Sequence, residues 1–176
     1  MRLWRDRLPS PLGTLLLVFD DAALVALEFE DHEPRMLELL RRYHGADVVL
    51  EPGTVSDAVR DAVAAYFAGH ATALDGLAVR TGGSAFQRRV WDALRRIPYG
   101  TTTSYGRLAA ALGMPKASRA VGLANGANPV SIVVPCHRVI GADGTLTGYG
   151  GGLPRKAWLI RHEAGLEELR LAGEAA

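Results

Sequence analysis

The chain changes character across a glycine-bearing stretch, residues 74–83, and that change constrains its fold more than any single motif does. Residues 1–83 carry 8 Lys and Arg against 13 Asp and Glu, and residues 84–176 carry 12 against 6, so a total of +1 conceals halves of −5 and +6. Between Ser84 and His162 only Asp92 and Asp143 are acidic, against eleven basic residues. Such asymmetry fits a polyanion-binding half joined to a neutralising one, although a solvated basic face explains the charge equally well. With 176 residues, 48% of them hydrophobic, the chain is long enough for one good-sized core or two small ones. The expected organisation is one compact unit of two lobes, residues 1–82 and 83–167, with a solvated, flexible tail over 168–176.

Before the connector, residues 12–19 (Leu-Gly-Thr-Leu-Leu-Leu-Val-Phe) and 23–29 (Ala-Leu-Val-Ala-Leu-Glu-Phe) are short apolar runs either side of Asp20-Asp21-Ala22, which is a hairpin pattern. Met36, Leu39, Leu40 and Tyr43 then recur at helical spacing, and residues 48–50 suit a third strand. Ser56 can cap a helix whose inner face is Val59, Val63, Tyr66 and Phe67 and which ends at Gly69. These elements make a small α/β lobe.

After the connector, Ser84 caps a further helix with Phe86, Val90, Leu94 and Ile97 inward, stopped by Pro98-Tyr99-Gly100. Residues 104–112 and 116–125 are two short helices joined by Gly113-Met114-Pro115, the length and chemistry of a helix-turn-helix. Helix hairpins of this kind also occur in proteins that never touch DNA. In the second helix Ala117, Ser118, Ala120, Gly122 and Ala124 are small, so few side chains are long enough to read base edges in a major groove. Such a helix suits close approach to a backbone or a narrow groove, with Arg119 as its one long probe.

Several function classes are disfavoured. The most apolar early stretch, residues 12–19, is too short for a membrane span or a signal peptide and runs into Asp20-Asp21, so the expected compartment is the cytoplasm, with no membrane partner. One cysteine cannot form an internal disulfide, and five scattered histidines give no recognisable zinc pattern, so neither metal nor cofactor is expected. Any thiol chemistry belongs to Cys136 alone.

Residues 128–140 (Asn-Pro-Val-Ser-Ile-Val-Val-Pro-Cys-His-Arg-Val-Ile) place an apolar, strand-like segment directly before Cys136. A lone cysteine behind Ile-Val-Val is ordinarily a buried, inert hydrophobe, and His137 does not change that, since neighbours in an extended segment point to opposite sides. The surrounding blocks do. Pro-Cys-His-Arg-Val at 135–139 resembles the active-site signature of the O6-alkylguanine-DNA alkyltransferases. Ser104-Tyr105-Gly-Arg-Leu-Ala, Arg119-Ala-Val-Gly122, Asn128-Pro129, Gly148-Tyr149-Gly150-Gly151-Gly152 and Trp158-Leu-Ile-Arg-His-Glu163 match that family's other blocks in order and spacing. Ser10-Pro-Leu-Gly13 and Tyr66-Phe-Ala-Gly69 resemble its bacterial members more diffusely.

The resemblance implies an α+β fold in two lobes: a small ribonuclease-H-like N-terminal α/β lobe with an antiparallel hairpin, and a helical winged helix-turn-helix lobe carrying the acceptor cysteine. It implies a single-turnover methyltransferase that takes an alkyl group from O6-alkylguanine onto Cys136, with O4-methylthymine as a further candidate substrate. The chemistry is displacement at a saturated carbon, for which a free thiol near its reference pKa of about 8.5 supplies too little thiolate at neutral pH. By similarity Glu163 orients His137, which reaches Cys136 through a water, and Tyr105 donates a proton to the leaving guanine. Tyr149 and the backbone N–H of Gly150 would contact the base oxygen. The carbonyls of Cys136 and Val139 would accept from the guanine amino group, and Asn128 would hold the turn between helix and active-site segment. Lys156 is placed near the same loop, although a solvated lysine is the plainer reading. Arg119 matches an arginine finger that fills the stack when the nucleotide flips out, flanked by Lys116, Ala117 and Ser118 on the DNA face. The partner would be duplex DNA approached from the minor groove by a monomer.

Three other readings compete. Cys136, His137 and Glu163 are also a cysteine-hydrolase set, which turns over beyond one equivalent where a suicide acceptor stops. A non-catalytic lesion sensor keeps the arginine finger but lacks the cysteine. A plain helix-turn-helix regulator places polar base-readers where this chain has alanines.

Overall fold

The computed structural model describes residues 1–166, so the tail expected over 168–176 lies outside the described residues. In the N-terminal half, β1 (Arg2–Leu8), β2 (Leu15–Phe19), β3 (Leu24–Phe29) and β4 (Val49–Pro52) form one sheet in the order β3-β2-β1-β4. The expected hairpin is β2 and β3, antiparallel with Leu17 opposite Leu27. The third strand expected at residues 48–50 starts one residue later and pairs in parallel with β1, a strand the sequence did not announce. Arg5, Asp6 and Arg7 interrupt the apolar pattern of β1, and each is neutralised in the fold. Arg5 pairs with Glu33 and Arg7 with Glu30, while Asp6 accepts from Val55 N at 2.9 Å and pairs with Arg60 at 3.2 Å.

Side chains alternate across the sheet, so its two faces are covered by different partners. Leu16 and Val18 pack with Met36 and Leu40 of α1 (Glu33–His44), whereas Leu15 and Leu17 join a second cluster with Val63 and Tyr66 of α2 (Asp57–Phe67). That second cluster continues into the C-terminal half through Val90, Trp91, Val121, Val134 and Leu159. One core therefore draws on both sides of the glycine-bearing connector.

The C-terminal half contains α3 (Ala85–Leu94), β5 (Thr103–Ser104), α4 (Tyr105–Ala111), α5 (Ser118–Gly126), β6 (Val139–Ile140) and α6 (Leu153–Glu163). Ser84 and Gln87 form a reciprocal capping box on α3, and Ser104 Oγ accepts from Arg107 N to cap α4. Trp91 Nε1 donates to Ala124 O at 2.8 Å, fixing α3 against α5, and α4 packs on α5 as the expected helix-turn-helix. Thr103 and Ser104 pair in parallel with Val139 and Ile140, which brings the start of α4 beside the segment carrying Cys136.

The strand-like segment before Cys136 is not a strand. Only Val130 bridges to Leu27, with Leu27 N donating to Pro129 O at 3.0 Å and Ser131 N to Leu27 O at 2.9 Å. The chain then turns through Ile132 at φ +72°, a rare conformation for a β-branched residue, and enters a 3-10 turn at Cys136–Arg138. The outer edge of β3, buried along its length, is thus the shelf on which the segment is hung. No helix among the described residues is long and apolar enough to cross a membrane.

Candidate active site

Asn128 sets the turn that carries the cysteine. Its Nδ2 donates to Val134 O at 2.7 Å and its Oδ1 accepts from Val130 N at 2.9 Å, so one buried amide staples both ends of a loop whose own backbone is strained. Cys136 follows, 5% exposed. Burial pushes its thiol above the ordinary range, opposed by the Asn128 amide and by the positive charges of Arg35 and Lys156. A buried thiol of this kind needs a base.

Cys136 and His137 lie in a 3-10 turn, so the strict alternation of sides expected of an extended segment does not apply to them. His137 is fully buried, with Nε2 2.7 Å from Glu163 Oε1 and Nδ1 buried without a hydrogen-bond partner. A nitrogen facing a carboxylate carries the proton, so Nε2–H is the donor and Nδ1 is the free acceptor. Burial pushes the imidazole below its ordinary value against the pull of Glu163, leaving it neutral with Nδ1 unprotonated.

Glu163, at the end of α6, is held more tightly than the sequence implied. Arg138 grips both oxygens, with Nε donating to Oε2 at 2.8 Å and Nη2 to Oε1 at 3.0 Å, and Tyr66 Oη donates to Oε1 at 2.8 Å. Burial alone would raise this carboxyl, but His137 and Arg138 outweigh it and keep the group ionised well below the usual carboxylate range. Arg138 stood in the quoted run beside His137, whereas Tyr66 comes from the other lobe. Neither had been assigned a role.

Lys156 is a correction. Read as a solvated lysine, it is fully buried, and its Nζ donates to Val139 O at 2.6 Å, Thr147 O at 2.8 Å and Gly148 O at 3.3 Å. The ammonium stitches the loop before α6 to β6, and its desolvation is offset by these carbonyls. Val139 O therefore already has one donor, and Cys136 O receives Asn125 Nδ2 at 3.4 Å. On the same loop Tyr149 rests edge-on against Phe29, and its buried hydroxyl has no hydrogen-bond partner. Gly150 approaches Arg35 so closely that a Cβ there would lie 2.6 Å from the guanidinium carbon. Arg35 in turn pairs with buried Glu28 and donates to Gly126 O at 2.6 Å and Asn128 O at 3.2 Å. A serine at position 150 would displace that guanidinium.

Outside the buried relay, Tyr105 opens α4 at the edge of a depression of about 430 Å³ lined also by Ser118, Arg119, Gly122, Leu123, Thr147 and Gly148. Its hydroxyl donates to Thr147 O at 3.1 Å. Lys116, Ser118 and Arg119 are exposed and Ala117 is half-buried at the head of α5. A larger cavity of about 550 Å³ lies in the N-terminal lobe between Trp4, Asp20 and Val59 and contains none of these groups. Arg119, Tyr105 and the start of the loop carrying Tyr149 thus share one depression. Among the described residues no group of His, Cys, Asp and Glu is arranged to hold a metal ion.

Comparison with known proteins agrees over nearly the whole chain. Residues 85–165 match the family model for the 6-O-methylguanine DNA methyltransferase, DNA binding domain. The methylated-DNA–protein-cysteine methyltransferase of Salmonella typhimurium is 53% identical over 169 residues, covering 93% of this chain and 96% of the relative. That of Mycobacterium bovis is 49% identical over 154 residues, 88% of each. The crystal structure of Mycobacterium tuberculosis OGT in complex with DNA superposes with a TM-score of 0.78 at 42% identity, covering 94% of both chains. The O6-methylguanine-DNA methyltransferase of Pyrococcus kodakaraensis, at 24% identity, shares the fold with a TM-score of 0.65.

Proposed function

The chain belongs to the methylated-DNA–protein-cysteine methyltransferase family, and from that premise we propose how its residues divide the work. It repairs DNA by transferring an alkyl group directly from the damaged base to the protein. The acceptor is Cys136, and the lesion is O6-alkylguanine. The observation that carries this assignment is the buried histidine next to the only cysteine, with Nε2 committed to Glu163 and Nδ1 left free.

His137 Nδ1 takes the thiol proton through an intervening water, and the thiolate attacks the alkyl carbon in line with its bond to O6. A C–S bond forms as the C–O6 bond breaks, and the electron pair leaves with guanine. Tyr105 delivers the proton that neutralises the departing ring. Tyr149 and Gly150 N–H lie on the loop that meets the base oxygen, and Lys156 holds that loop in register with Val139. Glu163 stays ionised throughout and balances the imidazolium. The thioether has no exit, so each molecule acts once.

A base within the stack cannot reach a cysteine at 5% exposure, so the nucleotide must be extruded at a cost of a few kcal/mol. Arg119 takes the vacated place from the minor groove, and the small residues of α5 let the helix approach. Binding by the monomer is to phosphates on the basic face, with a salt slope of about −0.9 per phosphate neutralised.

The test is mass spectrometry after incubation with a duplex containing O6-methylguanine. One methyl mass on the peptide holding Cys136, together with loss of transfer but not of DNA binding in Cys136→Ala, is the expected result. An unmodified Cys136 peptide after full repair sinks the assignment.

A further inference from the structure

The relay described above ends in the C-terminal half at Glu163, yet one of the hydrogen bonds that fix it arrives from the N-terminal lobe. Tyr66 Oη donates to Glu163 Oε1 at 2.8 Å, the same oxygen that lies 2.7 Å from His137 Nε2. The phenol is 1% exposed and is aimed by its surroundings. Its ring makes edge contacts with Tyr99 at 6.0 Å and His162 at 5.5 Å, and its own carbonyl lies 2.8 Å from His162 Nε2. The ring is thus fixed by Tyr99 and His162 before its hydroxyl meets the carboxylate.

We propose that Tyr66 is a positioning residue of the acceptor relay, supplied by α2, which sets the basicity of His137 by sharing its carboxylate oxygen. This rests on the reading of Cys136, His137 and Glu163 given above. Oε1 accepts from His137, Tyr66 and Arg138, and Oε2 from Arg138 and, at 3.5 Å, Gly100 N. Each donor draws charge from the carboxylate, so the oxygen stabilises an imidazolium less than an unshared one would. The consequence is a histidine kept neutral, with Nδ1 ready to accept the thiol proton.

Every charged or titratable group around the relay bears on this balance. Glu163, His162 and Lys156 come from α6, Cys136 and Arg138 from the 3-10 turn, Tyr99 from the segment after α3, and Tyr149 from the loop before α6. Burial and the adjacent Glu163 charge keep the Tyr66 phenol protonated well above its ordinary range, so it remains a donor wherever His137 titrates. Arg35 of α1 and Glu28 of β3 add their charges at Cys136, but of the groups bonded to Glu163 only Tyr66 lies N-terminal to the connector. Its removal as Tyr66→Phe deletes one donor and keeps the ring.

The sign follows directly. Without the phenol, Oε1 holds more charge for His137, the imidazolium is favoured, and the histidine titrates at higher pH. We expect the His137 midpoint, followed by NMR in intact Tyr66→Phe protein, to rise by roughly half a unit. Methyl transfer to Cys136 from free O6-methylguanine, below both midpoints, then falls about threefold, as half a unit on a logarithmic scale requires. Duplex affinity stays unchanged, and Tyr66→Phe adds nothing in a Glu163→Gln background. Arg138→Lys, which thins the same donor set from the other side, moves the midpoint in the same direction and serves if Tyr66→Phe does not fold. A midpoint unmoved in the folded variants, or equal losses with and without Glu163, overturns the proposal and leaves Tyr66 a packing residue. Failure of wild-type protein to accept a methyl group would instead overturn the parent reading, while the His137 titration would still decide this one.

Discussion

At the scale of single residues, Lys156 shows where physical context reverses an expectation. A lysine is ordinarily solvated, but this one is fully buried, and three carbonyls from two separate segments converge on its ammonium. Lys156→Met would keep the packing of the stem and leave the buried carbonyl of Val139 without that donor. We expect a loss of about 1–3 kcal/mol in stability by denaturant titration, because an unpaired buried polar group costs that much. Repair slows as well, since the loop bearing Tyr149 loses its tie to β6. Unchanged stability would mean the three carbonyls find other partners. The contrast with Cys136 and His137 is instructive: they were singled out by the blocks around them, whose order and spacing are written in the sequence. Those of Lys156, Tyr66 and Arg138 depend on atoms brought together by the fold. Arg119 is tested at this scale too. Arg119→Ala should slow repair in duplex DNA with less effect on single strands or free base, because only the duplex needs a filled stack. Equal losses on all three substrates would refute the finger.

At the scale of elements, helices were read more faithfully than strands. Ser56, Ser84 and Ser104 each accept from the backbone N–H three residues on, and this local rule needs no tertiary information. Ser84→Ala should cost about 1 kcal/mol in urea unfolding, typical for loss of an N-cap hydrogen bond, and leave the stoichiometry of alkyl transfer at one. A neutral substitution would show that the capping box contributes nothing in this context. Strands carry weaker signals. β1 was hidden because Arg5, Asp6 and Arg7 look like a solvated run until Glu33, Glu30 and Arg60 arrive to pair them. The segment before Cys136 erred the other way: its Ile-Val-Val run suggested a strand, but Asn128 folds it back on itself and the positive φ of Ile132 breaks any ladder. Apolar composition reports burial there, not extension.

At the scale of the whole molecule, the relay sits where the two halves meet, so its ionisation bears on the stability of both. Two groups decide the acid limb. His137 is buried neutral, with burial lowering its pKa from the 6.5 of a free imidazole. A group that binds protons more readily when unfolded destabilises the fold as pH falls below its unfolded value, so stability should begin to decline below about pH 6.5. Glu163, held well below the 4.5 of a free carboxyl chiefly by His137 and Arg138 against its own desolvation, contributes stability that is complete above about pH 4.5 and lost progressively below it. Glu28 opposes this trend: burial raises its pKa despite Arg35, so its protonation in acid relieves a cost of folding. Because one apolar cluster draws on both halves, the loss should register as a single transition, not as two lobes melting apart. Urea unfolding across a pH series tests this. Wild-type protein should show one transition whose midpoint falls in two stages. Glu163→Gln should start less stable, since it strands Arg138 and His137, and should lose the steep stage below pH 4.5 because no carboxylate remains to protonate. An acid limb of equal steepness in both proteins would show that Glu163 is not what ties the ionisation of this site to the stability of the fold.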